Sequence, residues 1–422
     1  EKDFQARSRD KVGENWPIGY SHLEPYYELI ERIIGVAAGE STPQEISRCR
    51  YPMPPHDFHW SAQIVAKGAE KLGLSPLHVP AAVNSHRYNG RPPCNHCGFC
   101  AQGCMTGAKG STLVNCLPTA QSLGAEIRPH CFVTQVELDS RGKARRVIYI
   151  DPQGNEQVQE ADVIILAANG IQVPRLLLCS DSSLFPHGLA NRSGLVGKYL
   201  MVHLHQDVWG KFDRPIQAYR GAPLGAGAVI QDFYQTDRRR GFVRGYNLIS
   251  NFSGPLALAS SSGLWGQELK DFMRGYCYLT KIWTHGEDLP QKENAVILDP
   301  EKRDEFGLPL PRLIHRFCSN DISLLEHALQ WSRDILAAAG ARVTCEDPVG
   351  RQRVLHFMGT CRMGDDPEHS VADSFGRTHD VPNLFLAGSC LFVTSTAATP
   401  TLTLQALAAR TADYIRQERR SL

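Results

Sequence analysis

Long apolar runs are what this 422-residue chain has least of. The longest, Val163 to Ala168, falls far short of the roughly 20 residues of a membrane-crossing helix. An excess of one charge is also missing, since 45 basic residues face 44 acidic ones for a net +1. No basic field of the kind nucleic acids attract arises from that balance, and RNP, zinc-finger and basic-zipper patterns are absent. Fixed-period repeats and low-complexity linkers are missing too. The opening Glu1-Lys2-Asp3-Phe4 shows neither a secretory pattern nor an initiator Met, so these residues are expected to belong to a longer chain. Localisation stays open between the cytoplasm and a periplasmic or membrane-associated place reached through partner subunits.

What is present is ordinary globular composition, 42% hydrophobic and 21% charged, which excludes disorder, collagen and coiled coil. The length suggests about two or three domains. Thirteen cysteines are many. Four crowd together at Cys94, Cys97, Cys100 and Cys104, and the other nine, from Cys49 to Cys390, stand singly. Without paired spacing, the scattered ones read as small core residues.

Periodicity predicts helices over Leu23–Gly35, capped by Ser21, over Ala62–Leu72 and over Thr112–Leu123. Strands follow at Phe132–Leu138, Arg146–Asp151 and Val163–Ala168, the last apolar throughout, as in a parallel strand buried on both faces. Turn signals lie at 139–142 and 152–155, and Gly170 with Pro174 opens another helix. Beyond these come β-rich stretches at Gly241–Phe252 and Tyr276–Trp283 and an amphipathic helix over Ile322–Ala339, capped by Asn320 or Asp321. A buried strand at Asn383–Ala387 and a helix over Thr401–Gln417 close the chain. The expected fold is α/β locally and α+β overall. Residues 1–90 form an N-terminal segment of the substrate or cap region, 91–205 and 355–422 one discontinuous Rossmann-like domain, and 206–354 a substrate domain with an antiparallel sheet covered by helices.

Three segments could carry chemistry. The cysteine loop has the spacing C-x2-C-x2-C-x3-C, matching the bacterial ferredoxin run in which successive thiolates reach one cubic cluster. Met105 stands where ferredoxins have Pro. Four thiolates also suit tetrahedral zinc, and a cysteine-rich turn without metal is the third reading. The second segment is His356-Phe357-Met358-Gly359-Thr360-Cys361-Arg362-Met363-Gly364. A lone His beside apolar residues is more often a core histidine than a catalyst. The third runs from Asn383-Leu384-Phe385-Leu386-Ala387-Gly388-Ser389 through Thr399-Pro400-Thr401-Leu402-Thr403 into the last helix. There a buried strand, a small-residue turn and a helix N-terminus suit an anion or a cofactor's polar edge, or simply connect strand to helix.

Together these segments resemble the glucose–methanol–choline oxidoreductases. The resemblance lies in the His356-to-Gly364 motif, then Asp373, Val381-Pro382-Asn383-Leu384 and Pro400-Thr401-Leu402-Thr403. It includes Ala161 to Gly170 with Pro174-Arg175-Leu176-Leu177, and Asn15-Trp16-Pro17-Ile18 with Leu23-Glu24-Pro25-Tyr26-Tyr27. The cysteine loop is similar to that of the branch holding fructose, gluconate and FAD-dependent glucose dehydrogenase large subunits.

The resemblance implies an FAD enzyme that takes hydride from the CH–OH group of a sugar, sugar acid or other alcohol. His356 would be the general base, with Thr399 as its neighbour where the family has Asn or His. FAD would be lined by Val133, Ala167, Ala168, Asn169, Gly170, Gly388, Ser389, Pro400 and Thr401. The four cysteines would hold a three-iron or four-iron iron–sulfur cluster, with a small subunit and a cytochrome c as partners. The family's G-x-G-x-x-G fingerprint, which takes the FAD pyrophosphate, is absent here and expected upstream of Glu1, so these residues alone should hold FAD weakly. The rival readings are a non-catalytic iron–sulfur subunit and an oxygen-using oxidase.

Overall fold

The computed structural model describes residues 1–39, 51–220, 224–346 and 353–419. The N-terminal part is helical. A short α1 (Ala6–Asp10) leads to α2 (Tyr20–Ile34) and α3 (Trp60–Lys71). The start of α2 lies ahead of the expected cap. Gly19 precedes it and donates its N–H to His22 Nδ1 at 3.1 Å, which leaves Ser21 inside the helix. Gly35, at φ +74°, ends it, a left-handed conformation glycine adopts without strain. His59 caps α3 by accepting from Ala62 N at 3.1 Å.

A short strand, β1 (Pro76–His78), and the cysteine loop follow. The helix expected over Thr112–Leu123 shortens to α4 (Cys116–Ser122), because Ser111 to Asn115 is turned and bonded to itself. Next come β2 (Phe132–Leu138), β3 (Ala144–Ile150) and β4 (Glu156–Glu160), an antiparallel meander. Its turns are closed by Asp139 and Asp151, whose carboxylates accept backbone N–H groups.

After β5 (Ile164–Leu166) and α5 (Asn169–Cys179), the chain enters its main sheet through β6 (Met201–Lys211). The strands β7 (Ala228–Ile230) and β8 (Tyr246–Asn251) precede the small helices α6 (Pro255–Ser261) and α7 (Gly266–Arg274), and β9 (Leu279–Glu287) follows. The hairpin β10 (Ala295–Arg303) and β11 (Pro309–Ile314) leads to α8 (Ser319–Ala338). Asp321 begins α8 by accepting Cys318 N at 2.8 Å. The chain ends through β12 (Val343–Glu346), β13 (Arg353–Met358), β14 (Leu384–Leu386) and α9 (Thr401–Glu418).

The main sheet is antiparallel, ordered β1-β7-β8-β9-β6-β12, with β13 also on β6. The long β6, unforeseen in the sequence, is buried almost throughout because α8 covers one face and the rest of the molecule the other. Leu204, Val208, Leu248 and Ile282 pack there against Leu324, Leu325 and Ala328 of α8.

A second core joins β5, β14 and α5 to the N-terminal helices. Here β5 pairs β14 in parallel across more than two hundred residues of sequence. Asn383 locks the junction, donating to Ala144 O and Asp162 O, both at 2.7 Å. The expectation that this strand is buried on both faces is corrected: Ile164 and Leu166 are buried, but Ile165 is 48% exposed. The reason is that β5 and β14 form a sheet of only two strands, and its second face is covered at Phe385 of β14, beside Tyr414 of α9, but left open at Ile165 of β5. Of the scattered cysteines, Cys361 and Cys390 are core residues, while Cys116, Cys131, Cys179, Cys277 and Cys318 are only half-buried. Cys49 and the side chain of Cys345 lie outside the described residues.

Candidate active site

Two turns meet beside the end of β13. Leu166 leaves β5 into Ala167-Ala168-Asn169-Gly170, and Leu386 leaves β14 into Ala387-Gly388-Ser389. Asn169, at φ +64°, caps α5 with its side chain, accepting from Ile171 N at 2.9 Å and Gln172 N at 3.2 Å. Gly170 sits against the Phe357 carbonyl, 2.6 Å from where a Cβ would stand. From the other turn, Ser389 Oγ donates to that same carbonyl at 2.7 Å, and Gly359 N donates to Ser389 O at 3.0 Å.

His356 therefore stands one residue from the point where both turns close. Its strand slips register on β6 between Leu355 and Met358, and His356 takes φ +60°, an uncommon region for a residue with a Cβ. Its Nδ1 lies 2.9 Å from His203 Nδ1 and 3.4 Å from His285 Nε2. His203 comes from β6 and His285 from β9, and both are fully buried. Burial holds all three rings below the ordinary imidazole range: His203 falls to about 3, helped by the nearby His356, and His285 and His356 are lowered too.

Thr399 belongs to the loop ahead of α9. That loop is pinned to the main sheet: Thr396 O faces His203 Nε2 at 2.7 Å, Asn247 Nδ2 donates to Ala397 O at 2.8 Å, and Ser395 Oγ donates to Asp288 O at 2.9 Å. His356 and Thr399 are thus linked through His203. Thr399 and Thr396 also border a cavity of about 420 Å³ lined by Trp16, Tyr20, Tyr27 and Phe392. His356 does not line it.

The residues present fit part of a flavin. Ala167, Ala168 and Asn169 are exposed at the uncovered end of β5, and Gly388, at φ +128°, has open space where a Cβ would be. Pro400 and Thr401 start α9, whose first-turn N–H groups are free to face an acceptor. Val133, half-exposed on β2, reaches these residues only through the packing of its strand on α5. A pyrophosphate cradle of the glycine-rich kind is not in this sequence.

The cysteine loop is held elsewhere, on the end of α2. Arg91 Nη2 donates to Ile34 O at 2.7 Å, and Cys94 N donates to Asn84 O at 2.9 Å. His96, Gly98, Gly103 and Gly107 take positive φ, so the loop doubles back on itself. Its sulfurs accept N–H bonds, from His96 to Cys94 at 3.3 Å and from Lys109 to Cys104 at 3.4 Å. Burial pushes the Cys104 thiol up, but Thr106 and the backbone N–H groups of Lys109, Thr106 and Ala108 outweigh it and favour thiolate. Burial and the neighbouring thiols raise Cys94. The four thiols do not converge on one point: among the described residues the side chains gathered closely enough to share an ion are His203, His285 and His356.

His203 and His285 were missed in the sequence. The available signal was His203-Leu204-His205, an alternating pair inside a stretch of mixed polarity, with His285 in a second such stretch. The pairing that sets His205 opposite His285 is a tertiary fact.

A parallel pair of strands ending in small-residue turns, with the half-buried His356 between them and an antiparallel sheet behind, suits a cofactor-dependent oxidoreductase. The family model of the GMC oxidoreductases matches residues 11–205 and 290–408, and this chain belongs to that family. The 2-methyl-1,2-propanediol dehydrogenase of Mycolicibacterium austroafricanum is 35% identical over 413 residues, 95% of this chain and 74% of the relative. The fructose dehydrogenase large subunit of Gluconobacter japonicus is 32% identical over 424 residues, 98% of this chain and 76% of the relative. Among solved structures, pyridoxine 4-oxidase from Mesorbium loti superposes with TM-score 0.65 at 17% identity, over 99% of this chain and 80% of that one. A formate oxidase does so with TM-score 0.69 at 14% identity, over 100% and 81%. The chain is an FAD-dependent oxidoreductase of alcohol or sugar CH–OH groups.

Proposed function

We propose that this protein is a dehydrogenase of a small alcohol or sugar, with His356 as the base that accepts the hydroxyl proton. The observation that carries this is the closure of both flavin-side turns on the Phe357 carbonyl, next to His356. Bound FAD would supply the hydride acceptor. As the C–H bond breaks with its electron pair, the O–H bond gives its proton to His356, and a carbonyl compound remains. Burial keeps His356 neutral at working pH, as a base must be. Thr399 supplies one hydroxyl near the substrate oxygen, where it can donate or accept a single hydrogen bond. The flavin-binding residues are Val133, Ala167, Ala168, Asn169, Gly170, Gly388, Ser389, Pro400 and Thr401.

Cys94, Cys97, Cys100 and Cys104 would hold an iron–sulfur cluster, which supplies one-electron transfer out of the site. The N–H donors to Cys94 and Cys104 support this, because such bonds stabilise sulfur-borne negative charge. A relative named as a large subunit supports a partner subunit, with a c-type cytochrome as the further acceptor. The cysteine loop favours this route over oxygen.

The test uses the full-length, FAD-loaded enzyme. His356→Ala should leave FAD bound and slow flavin reduction by roughly 10² to 10⁴. Thr399→Asn, which lengthens the partner and adds an amide, should speed it. An unchanged rate in His356→Ala would place the base elsewhere.

A further inference from the structure

The buried His203 and His285 and the half-buried His356 do more than pack. The carbonyls of Thr396 and Ser395 face His203 Nε2 at 2.7 and 3.2 Å. A carbonyl only accepts, so Nε2 must carry the hydrogen. In a neutral ring this leaves His203 Nδ1 as a bare lone pair, 2.9 Å from His356 Nδ1. Two lone pairs at that distance repel, so the proton between them belongs to His356. His285 Nε2, at 3.4 Å from the same atom, adds a second, weaker ring contact. With Nδ1 protonated, His356 has its free lone pair on Nε2.

Three imidazoles also form a donor set for a transition metal. Zinc–nitrogen bonds of about 2.0–2.1 Å in a tetrahedron set the nitrogens roughly 3.3 Å apart. The 2.9 Å separation of His203 and His356 is instead a hydrogen-bond length. What joins His203 and His356 is a hydrogen bond between neutral rings.

We propose that His203 is a positioning residue that fixes the tautomer of His356, holding its proton on Nδ1 so that Nε2 takes the substrate's hydroxyl proton. This rests on the reading of His356 as the base. The arrangement explains why a bulge and a positive φ are kept at His356: without the register slip, the ring would follow its strand's alternation. It also gives the loop before α9 a second task. Through Thr396, the loop that carries Thr399 orients the base as well.

The experiment uses the FAD-loaded, full-length enzyme labelled with ¹⁵N at histidine, with the His356 signals assigned from their loss in His356→Ala. In the wild type at neutral pH, His356 should show a protonated Nδ1 and a bare Nε2. The opposite pattern overturns the proposal, whether or not either His203 variant folds. His203→Asn keeps an acceptor at the place of Nδ1 and should hold flavin reduction within about threefold of wild type. His203→Leu removes the acceptor. It should shift His356 toward the other tautomer and lower kcat by roughly 10² or more, with KM and flavin content unchanged. Equal losses in the two variants overturn the proposal. His356→Ala separates it from the reading beneath: full rate there defeats both. A lost rate in His356→Ala, with an undisturbed His356 ring in His203→Leu, defeats the proposal alone.

Discussion

Gly170 and Phe357 touch backbone to backbone: the place for a Cβ on Gly170 is 2.6 Å from the Phe357 carbonyl oxygen and 3.0 Å from its carbon. The turn at the end of β5 and the strand bearing His356 therefore share one tight contact, and neither can move without the other. A side chain at position 170 has no room, because backbone atoms rather than a flexible tip oppose it.

Gly170→Ala should consequently cost about 1–3 kcal/mol of stability, the usual toll of overpacking, read as a lower urea midpoint. It should also slow flavin reduction in the full-length enzyme by displacing His356. Wild-type values for both would show that the strand yields freely.

The cysteine loop makes a prediction of colour. Purified without oxygen, the protein should be brown and contain iron and acid-labile sulfide, and Cys100→Ser should lose most of both. Cys100 is the buried member of the four, so its thiol faces the protein rather than water. A colourless preparation with one zinc per chain would assign the loop to a structural metal instead.

A third prediction concerns pH. Burial lowers His59 to about 4, while in the unfolded chain it titrates near 6.5. Between those values the unfolded state holds the extra proton, so stability is full above about pH 6.5 and drains as pH falls toward 4. The effect reaches roughly 3 kcal/mol at about 1.4 kcal/mol per unit. His59→Asn keeps an acceptor for the Ala62 N–H that caps α3 but removes the titration. Urea unfolding at pH 7 and pH 4.5 should show the variant losing less stability than wild type on acidification. Parallel losses would rule His59 out as a cause.

Local chemistry made much of the chain legible in advance. The span of α9, both turns of the β2–β4 meander and the strand at β2 follow from periodicity, Asp and Gly turn signals and a Pro at the helix start, all of which act within a few residues. The cysteine spacing and the motif around His356 were readable for the same reason: they are short and contiguous. The chain folded in space decided the rest. Ile165 has the same apolar neighbours as a buried strand residue, yet it is half-exposed because burial depends on what covers a two-stranded sheet. The long β6 did not announce itself, since His203, His205, Gln206 and Asp207 break up its apolar residues although nearly all of the strand is buried. His203, His285 and His356 stand far apart in sequence, and only the pairing of β9 and β13 on either side of β6 gathers them. Which nitrogen of His356 carries the proton follows from that gathering and from two carbonyls of the loop before α9, a relation no local pattern encodes.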